Sequence, residues 1–217
     1  FDAVRQVLEM EGIKLVGIGT NLTCYGGVIP DERNLGRLVQ LGNKIKDKFK
    51  VDLEIISGGN SSSLHLLIKG KKVDGINMLR LGESLALGRE TAYGEKVENT
   101  YDDCFQLIAE IVEIKEKPSV PIGEIGMDAF GNVPTFVDRG IRKRMICAIG
   151  KQDLDIDGII PQDEKIIILG ASSDHLILDG TDSNINYKVG DKVRFKLTYS
   201  GILKVMTSEY VKKEIKN

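Results

Sequence analysis

The first half of the chain alternates two hydrophobic patterns. Short apolar runs at residues 15–18, 53–56 and 75–79 have the length and composition of buried strands. Residues 1–11 and 31–49 instead carry apolar positions at helical spacing, which in the second segment are Leu35, Leu38, Val39, Leu41 and Ile45. This alternation predicts βα units, which build parallel sheets and barrels.

The helical period fades after residue 101. Short β-rich stretches divided by Gly, Pro, Asn and Asp follow, at residues 105–115, 144–149, 165–169, 176–178 and 192–199. This pattern is typical of an antiparallel β domain. We therefore expect two domains, residues 1–104 and 105–217, and a long polar loop at residues 88–100 that ends the first of them.

Composition limits the class of protein. The chain has 217 residues, slightly fewer than the roughly 250 of a complete eight-stranded barrel. A net charge of −2 lacks the concentrated positive charge that nucleic acid and anionic membranes require, so we expect neither partner. Three widely spaced cysteines, with neither metal-ligand spacing nor an even disulfide count, favour a cytoplasmic protein without a metal site.

Small polar residues follow the second apolar run and indicate candidate chemistry. Backbone amides and hydroxyls in such a turn can surround a phosphate, and the turn here consists of Ser57, Gly58, Gly59, Asn60, Ser61 and Ser62. Arg80 and then Gly82 follow the third apolar run, and so lie at the same end of the predicted sheet, the C-terminal end of its strands. Barrels bind their ligands at this end. Either segment alone is also typical of an ordinary turn or of a solvated or ion-paired arginine. Their order and spacing favour one phosphate-cofactor site.

Together with residues 17–22 (Gly-Ile-Gly-Thr-Asn-Leu), these segments resemble the fold-type III pyridoxal-phosphate enzymes, the alanine racemase family, and in particular its ornithine racemase branch. The resemblance implies that residues 1–104 are the C-terminal half of a cofactor-binding TIM-type (β/α)8 barrel and that residues 105–217 are a β-rich C-terminal domain. It also implies a homodimeric amino-acid racemase, an isomerase of amino-acid metabolism, with pyridoxal 5'-phosphate as cofactor. The alternatives are a non-catalytic pyridoxal-phosphate homeostasis protein and a barrel that binds another phosphorylated ligand.

The resemblance also implies which residues hold the cofactor phosphate. Asn60 and Ser61 correspond to an Asn-Ser pair whose hydroxyl and amides bind it, inside the turn that also contains Ser57 and Gly59. Two further amides come from Gly82 and Glu83. Near the C-terminus, Tyr199 is similar to a tyrosine whose hydroxyl reaches the phosphate. Asn21 stands where alanine racemases usually have a histidine that packs against the cofactor ring.

Arg80 corresponds to an arginine that hydrogen-bonds the pyridine nitrogen, and its chemistry supports racemisation independently of the family. A guanidinium only donates hydrogen bonds and keeps its proton, so a ring nitrogen that faces it must accept and stay unprotonated. The cofactor is then a weaker electron sink than one paired with a carboxylate. This favours a brief α-carbanion that is quickly reprotonated.

Racemisation requires bases on both faces of the α-carbon. The family uses a Schiff-base lysine, which precedes the residue 20–21 motif, and a tyrosine of the partner's β domain. We expect the lysine to lie outside this chain and these 217 residues alone to be inactive. Residues 123–131 correspond to the tyrosine region but contain Asp128 instead, which we predict to be the second base or a contact to an ornithine or lysine ammonium. A turn carboxylate that caps amides is the alternative.

Overall fold

The computed structural model describes residues 1–127 and 130–216. The chain divides into two compact units, Phe1–Cys104 and Phe105–Asn217. In chain order the first unit contains α1 (Asp2–Glu9), β1 (Gly17–Gly19), α2 (Glu32–Phe49), β2 (Ile55–Ser57), a 3-10 helix (Ser61–Ser63), α3 (Leu64–Ile68) and α4 (Glu83–Leu87). Across the described residues, none of the helices combines the length and apolar character that spanning a membrane would need.

Helix α2 forms where the sequence predicts it because its start and its buried face are both encoded locally. Asp31 Oδ1 accepts from the Asn34 amide at 2.6 Å, and Asn34 Oδ1 accepts from the Asp31 amide at 2.9 Å, which is a reciprocal cap. Ile45 joins the buried cluster with Ile56 of β2. A Cβ at Gly42 would lie only 2.8 Å from Ile56 Cδ1, so the absence of a side chain there lets the helix approach the sheet.

Strands β1 and β2 are parallel, with Gly17 opposite Ile55 and Gly19 opposite Ser57. The third predicted strand, residues 75–79, is reduced to a single parallel bridge between Ser57 and Met78. The described residues of this unit therefore form two parallel strands and one further parallel bridge in βα order, and they do not show the C-terminal half of a TIM-type barrel that the sequence predicts. A closed barrel requires each strand to be paired on both sides, and among the described residues β1 is paired on one side only.

The second unit is an antiparallel β domain, as predicted. Its elements are β3 (Gln106–Pro118), β4 (Ile141–Cys147), a 3-10 helix (Ile156–Gly158), β5 (Ile159–Pro161), β6 (Ile167–Ala171), β7 (Leu176–Asp179), β8 (Lys192–Leu197) and α5 (Tyr199–Thr207). The strands form one sheet in the order β5-β8-β3-β4-β7-β6, with every pair antiparallel. Its interior consists of side chains with almost no exposed surface, including Ile111, Met145, Leu176, Leu178 and Phe195.

The end of β8 differs from the prediction. The strand predicted over residues 192–199 ends at Leu197, and Tyr199 begins helix α5. Thr198 caps this helix, since its side chain accepts from the Gly201 amide. Gly201 packs against Gly158 so closely that a Cβ would overlap the Gly158 carbonyl. The helix thus depends on a contact with a distant glycine, and a local pattern does not reveal it.

A buried ion pair joins β4 to β7. Asp179 is 3% exposed and accepts from Arg142 Nε at 2.7 Å, while the Thr181 amide and hydroxyl donate to its other oxygen at 2.9 and 2.6 Å. Burial alone would raise the pKa of Asp179. The hydrogen bonds from Thr181 and Arg142 outweigh burial and hold this pKa below its usual value.

Candidate functional site

The Ser61 hydroxyl lies where two helices of the first unit begin. Ser61 is 3% exposed and is the first residue of the 3-10 helix before α3. Its Oγ accepts from the amides of Gly82 at 3.3 Å and Ser84 at 3.1 Å, and donates to Ser84 Oγ at 3.1 Å. The turn after β2 and the start of α4, predicted from separate segments, therefore meet at this atom.

The start of α4 has donor capacity left for an anion. The first amides of a helix have no partner within it, and that of Glu83 has no acceptor among the residues that the structure describes. Apart from Gly82 and its two chain neighbours, no described residue has an atom within 4 Å of where a Gly82 Cβ would be, so the space before the helix is open. The Glu83 carboxylate is turned away, since Arg89 donates to it at 2.8 and 3.1 Å. The Glu83 amide, next to the cluster in which Ser61 Oγ already bonds the Gly82 and Ser84 amides, is a donor that suits a phosphate oxygen.

Asn60 and Gly59 shape the turn that leads into Ser61. The Asn60 side chain caps the 3-10 helix through the Ser62 amide at 2.8 Å, and its Nδ2 donates to the Leu22 carbonyl at 3.1 Å. Gly59 has φ +113°, a backbone conformation that favours glycine. The side chain of Asn60 is thus occupied within the protein, so its contribution to a ligand would come through the turn that it holds.

Arg80 is held by neutral acceptors. Nη1 donates to the Ser57 hydroxyl, and Nη2 donates to the Thr20 carbonyl at 2.8 Å. Its own amide donates to the Gly59 carbonyl at 2.8 Å, which ties the residue to the turn. Within residues 1–127 and 130–216, no carboxylate forms an ion pair with Arg80. Among the described residues, the Arg80 guanidinium thus has hydroxyl and carbonyl partners on Nη1 and Nη2 and no acceptor on Nε.

Gly19 is a site residue that sequence reasoning missed. A Cβ at this position would lie 3.0 Å from Arg80 Nη1 and 3.1 Å from Ser57 Cβ. The absence of a side chain lets the guanidinium lie close to β1. Gly19 lies in the residue 17–22 motif that carries the family resemblance, so its role could have been predicted from the sequence. The role of Ser84 has no comparable signal, because it acts through a backbone amide and a buried hydroxyl.

The remaining predicted residues are not brought to this cluster by any described contact. Asn21 is exposed beside Thr20. Tyr199 belongs to the second unit, where its side chain is 44% exposed at the start of α5. Asp128 lies outside the described residues. Over the described part of the chain, no three His, Cys, Asp or Glu side chains are grouped as metal ligands would be.

No protein-family model matches the chain, but two curated proteins are similar to it over nearly its whole length. Identity with an ornithine racemase of Acetoanaerobium sticklandii is 55% over 212 residues, covering 98% of this chain and 60% of that protein. Identity with a lysine racemase of Thermotoga maritima is 46% over 211 residues, covering 97% and 59%. The chain thus spans about three fifths of the length of these relatives.

Solved structures show the same fold at low identity. Alanine racemase from Bartonella henselae, with covalently bound pyridoxal phosphate, matches with a TM-score of 0.55 and 18% identity, over 88% of this chain and 50% of that one. Alanine racemase of Clostridium difficile 630 matches with a TM-score of 0.53 and 18% identity, over 95% of this chain and 55% of that one. D-threonine aldolase from Filomicrobium marinum matches with a TM-score of 0.57 and 14% identity, over 94% of this chain and 50% of that one. The resemblance of this chain to the fold-type III alanine racemase family, with an ornithine racemase among its relatives, is confirmed.

Proposed function

We propose that the chain is part of a pyridoxal-phosphate-dependent amino-acid racemase that acts on ornithine or a similar cationic amino acid. The observation that carries the proposal is the convergence of the Gly82 and Ser84 amides on the buried Ser61 hydroxyl. The curated relatives named ornithine and lysine racemase support the reaction and the substrate class. The fold shared with a racemase that contains pyridoxal phosphate supports the cofactor.

The residues at Ser61 would hold the phosphate end of the cofactor. Ser61, at the start of the 3-10 helix, would offer its hydroxyl, and the start of α4 would offer the amides of Gly82 and Glu83. These donors are neutral, and the nearby Glu83 carboxylate is already paired with Arg89, so a phosphate would meet no unpaired negative charge from that residue. Ser57, Gly59 and Asn60 would act by keeping the turn in shape. Asn21 beside the ring and Tyr199 at the phosphate remain part of this proposal.

Arg80 would hold the pyridine end. When bound, pyridoxal phosphate supplies an electron sink that makes the α-proton of an amino acid removable. The Ser57 hydroxyl and the Thr20 carbonyl orient the guanidinium without neutralising it. Because arginine does not release its proton, a pyridine nitrogen that faces Arg80 would have to act as a hydrogen-bond acceptor. We propose that this restricts the enzyme to racemisation.

Proton transfer on the two faces of the α-carbon needs two bases. We propose Asp128 either as one of them or as the contact to the ammonium group of the substrate side chain. The curated relatives are longer than this chain, and we propose that the reactive lysine lies in the part of them that has no counterpart here. These 217 residues alone would then bind the cofactor weakly and lack activity.

We further propose that the first unit is the C-terminal half of a TIM-type barrel and that the protein is a cytoplasmic homodimer. The segment between β3 and β4 exposes many apolar side chains, including Ile122 (92% exposed), Met127 (77%), Val133 (66%) and Val137 (73%). Exposed apolar surface of this kind supports an interface with a second copy. Three free cysteines, two of them exposed, suit a reducing compartment.

The test is an assay of the full-length protein with L-ornithine and L-lysine, with and without added pyridoxal phosphate. We expect formation of the D-enantiomers that depends on the cofactor and on Ser61. Cofactor binding without racemisation would favour the homeostasis alternative. Failure to bind pyridoxal phosphate, with binding of another phosphorylated compound, would contradict the racemase proposal.

A further inference from the structure

Glu90 is a completely buried acidic residue inside a polar loop, residues 88–101, that the proposed chemistry does not use. Its side chain is 0% exposed. One carboxylate oxygen accepts from the Tyr93 amide at 2.9 Å and the Glu95 amide at 2.8 Å, and the other accepts from the Ala92 amide at 2.8 Å. Burying a carboxylate is costly unless hydrogen bonds compensate. The fold of the loop and the burial of Glu90 therefore depend on each other.

The loop is anchored where α4 ends. Gly88 caps α4 with φ +62°, and a Cβ there would lie 2.5 Å from the Tyr101 carbonyl oxygen. The Gly88 carbonyl accepts from the Val97 amide at 2.8 Å and from the Thr100 hydroxyl at 3.1 Å. Both ends of the loop thus meet at the C-terminus of the helix whose first amides contact Ser61.

Two side chains of the loop contact the helices on either side of Ser61. Arg89 donates to Glu83 in the first turn of α4 at 2.8 Å. The Tyr93 ring meets His65 of α3 edge-on with 5.3 Å between centroids, and His65 Nδ1 lies 2.7 Å from the Ser62 carbonyl. Helices of five residues are not stable alone and need such tertiary contacts.

We infer that Glu90 is a positioning residue that folds the 88–101 loop into a brace, and that this brace holds the starts of α3 and α4 at the spacing which lets Ser61, Gly82 and Glu83 bind one phosphate group. The inference rests on the proposed function, because the phosphate is that of pyridoxal phosphate. Glu90 itself contacts neither cofactor nor substrate in this role. Its effect reaches the site through Arg89 and Tyr93.

Glu90→Gln isolates this role with little change in shape. The side chain of glutamine accepts through its oxygen, but its nitrogen only donates. In either orientation of that side chain, its NH2 group therefore faces at least one of the backbone N–H groups that donate to Glu90. Glu98→Gln is the matched control. Glu98 is an exposed residue of the same loop, and its substitution removes the same formal charge.

The experiment measures, in the full-length protein, the dissociation constants of pyridoxal phosphate and of pyridoxal, which lacks the phosphate. We expect Glu90→Gln to weaken pyridoxal phosphate binding about tenfold, the size of one charge-assisted hydrogen bond, and to change pyridoxal binding by less than about twofold. Glu98→Gln should change neither. Arg89→Gln, which leaves the Glu90 hydrogen bonds intact, should cause a smaller loss in the same direction.

Equal losses for both ligands, or no loss for either, would overturn the inference. Hydrogen exchange without ligand gives a second readout: the amides of α4 should exchange faster in Glu90→Gln, and unchanged exchange there would also overturn it. Failure of the proposed function would appear differently, in the wild-type protein, as equal affinity for pyridoxal phosphate and pyridoxal. That result would reject the phosphate site and the brace together.

Discussion

Replacing Ser61 with alanine tests the centre of the candidate site. The substitution removes the oxygen that accepts from the Gly82 and Ser84 amides and that donates to the Ser84 hydroxyl. Ser61 and Ser84 are only 3% and 4% exposed, so bulk water does not replace the lost partner. Leaving a buried donor without an acceptor costs about 1–3 kcal/mol. We therefore expect Ser61→Ala to lower the free energy of unfolding by about that amount.

The loss of cofactor affinity should be the larger and more specific effect. A hydrogen bond to a charged group contributes about 1.5–3 kcal/mol, which corresponds to a dissociation constant roughly 10- to 150-fold higher for pyridoxal phosphate. The assay is equilibrium dialysis of the full-length protein with pyridoxal phosphate, with pyridoxal as the ligand that lacks the phosphate. Pyridoxal affinity should change little.

Ser62→Ala is the matched control. Ser62 is adjacent and equally buried, but its hydroxyl donates to the Leu22 carbonyl at 3.4 Å and not toward α4. We expect it to retain pyridoxal phosphate. The reasoning is refuted if Ser61→Ala keeps wild-type affinity under conditions where urea unfolding shows it to be folded, or if Ser62→Ala loses affinity to the same extent.

Three further changes test other parts of the molecule. Gly82→Ala places a methyl group in the open space before α4. It should weaken pyridoxal phosphate binding at least about tenfold and shift the thermal unfolding temperature little. Unchanged affinity would argue against a ligand in that space. Arg80→Glu puts an acceptor in place of a donor, so the ratio of racemised product to pyridoxamine phosphate should fall; an unchanged ratio would contradict the tuning role. Because the pKa of Asp179 is depressed in the folded state, its stabilisation is present above about pH 4, the unfolded value, and is lost as pH falls through the folded pKa. Asp179→Asn should therefore cost about 1–3 kcal/mol at neutral pH, because it removes the buried carboxylate that accepts from Arg142 and Thr181, while Asp182 stays paired with Arg142. It should also flatten the acid dependence of the urea midpoint, and a midpoint that still falls as steeply in acid would show that other groups control it.

Features of the fold that depend on neighbouring residues were predictable from the sequence. Helix α2 follows from its periodicity and from Asp31 at its start, and the alternation along β3 identifies a strand with one buried face. The meeting of the Ser61 turn with Gly82 was also foreseeable, because both segments follow strand-like runs whose ends share one edge of a parallel sheet.

Features of the fold that depend on distant partners were not predictable from the sequence. Residues 75–79 have the composition of a strand but form only the bridge at Met78. A strand must also pair with neighbouring strands along its length, and the composition of one segment does not show whether it does. Helix α5 needs Gly201 against Gly158. Glu90 reads as one more surface charge in a polar loop, and only the folded loop shows that three amides surround it.

The place of β8 in the sheet has a consequence for synthesis of the chain. The first half of β3, Gln106 to Glu110, pairs with β8, although β8 is the last strand to be made. Until Lys192–Leu197 leaves the ribosome, that part of β3 presents an unpaired edge with the apolar face of Leu107 and Ala109, which is a template for association with other chains. Truncation ahead of β8 should therefore produce insoluble protein, and we expect chaperones to raise the yield of soluble full-length chain by covering this edge until the final strand is available.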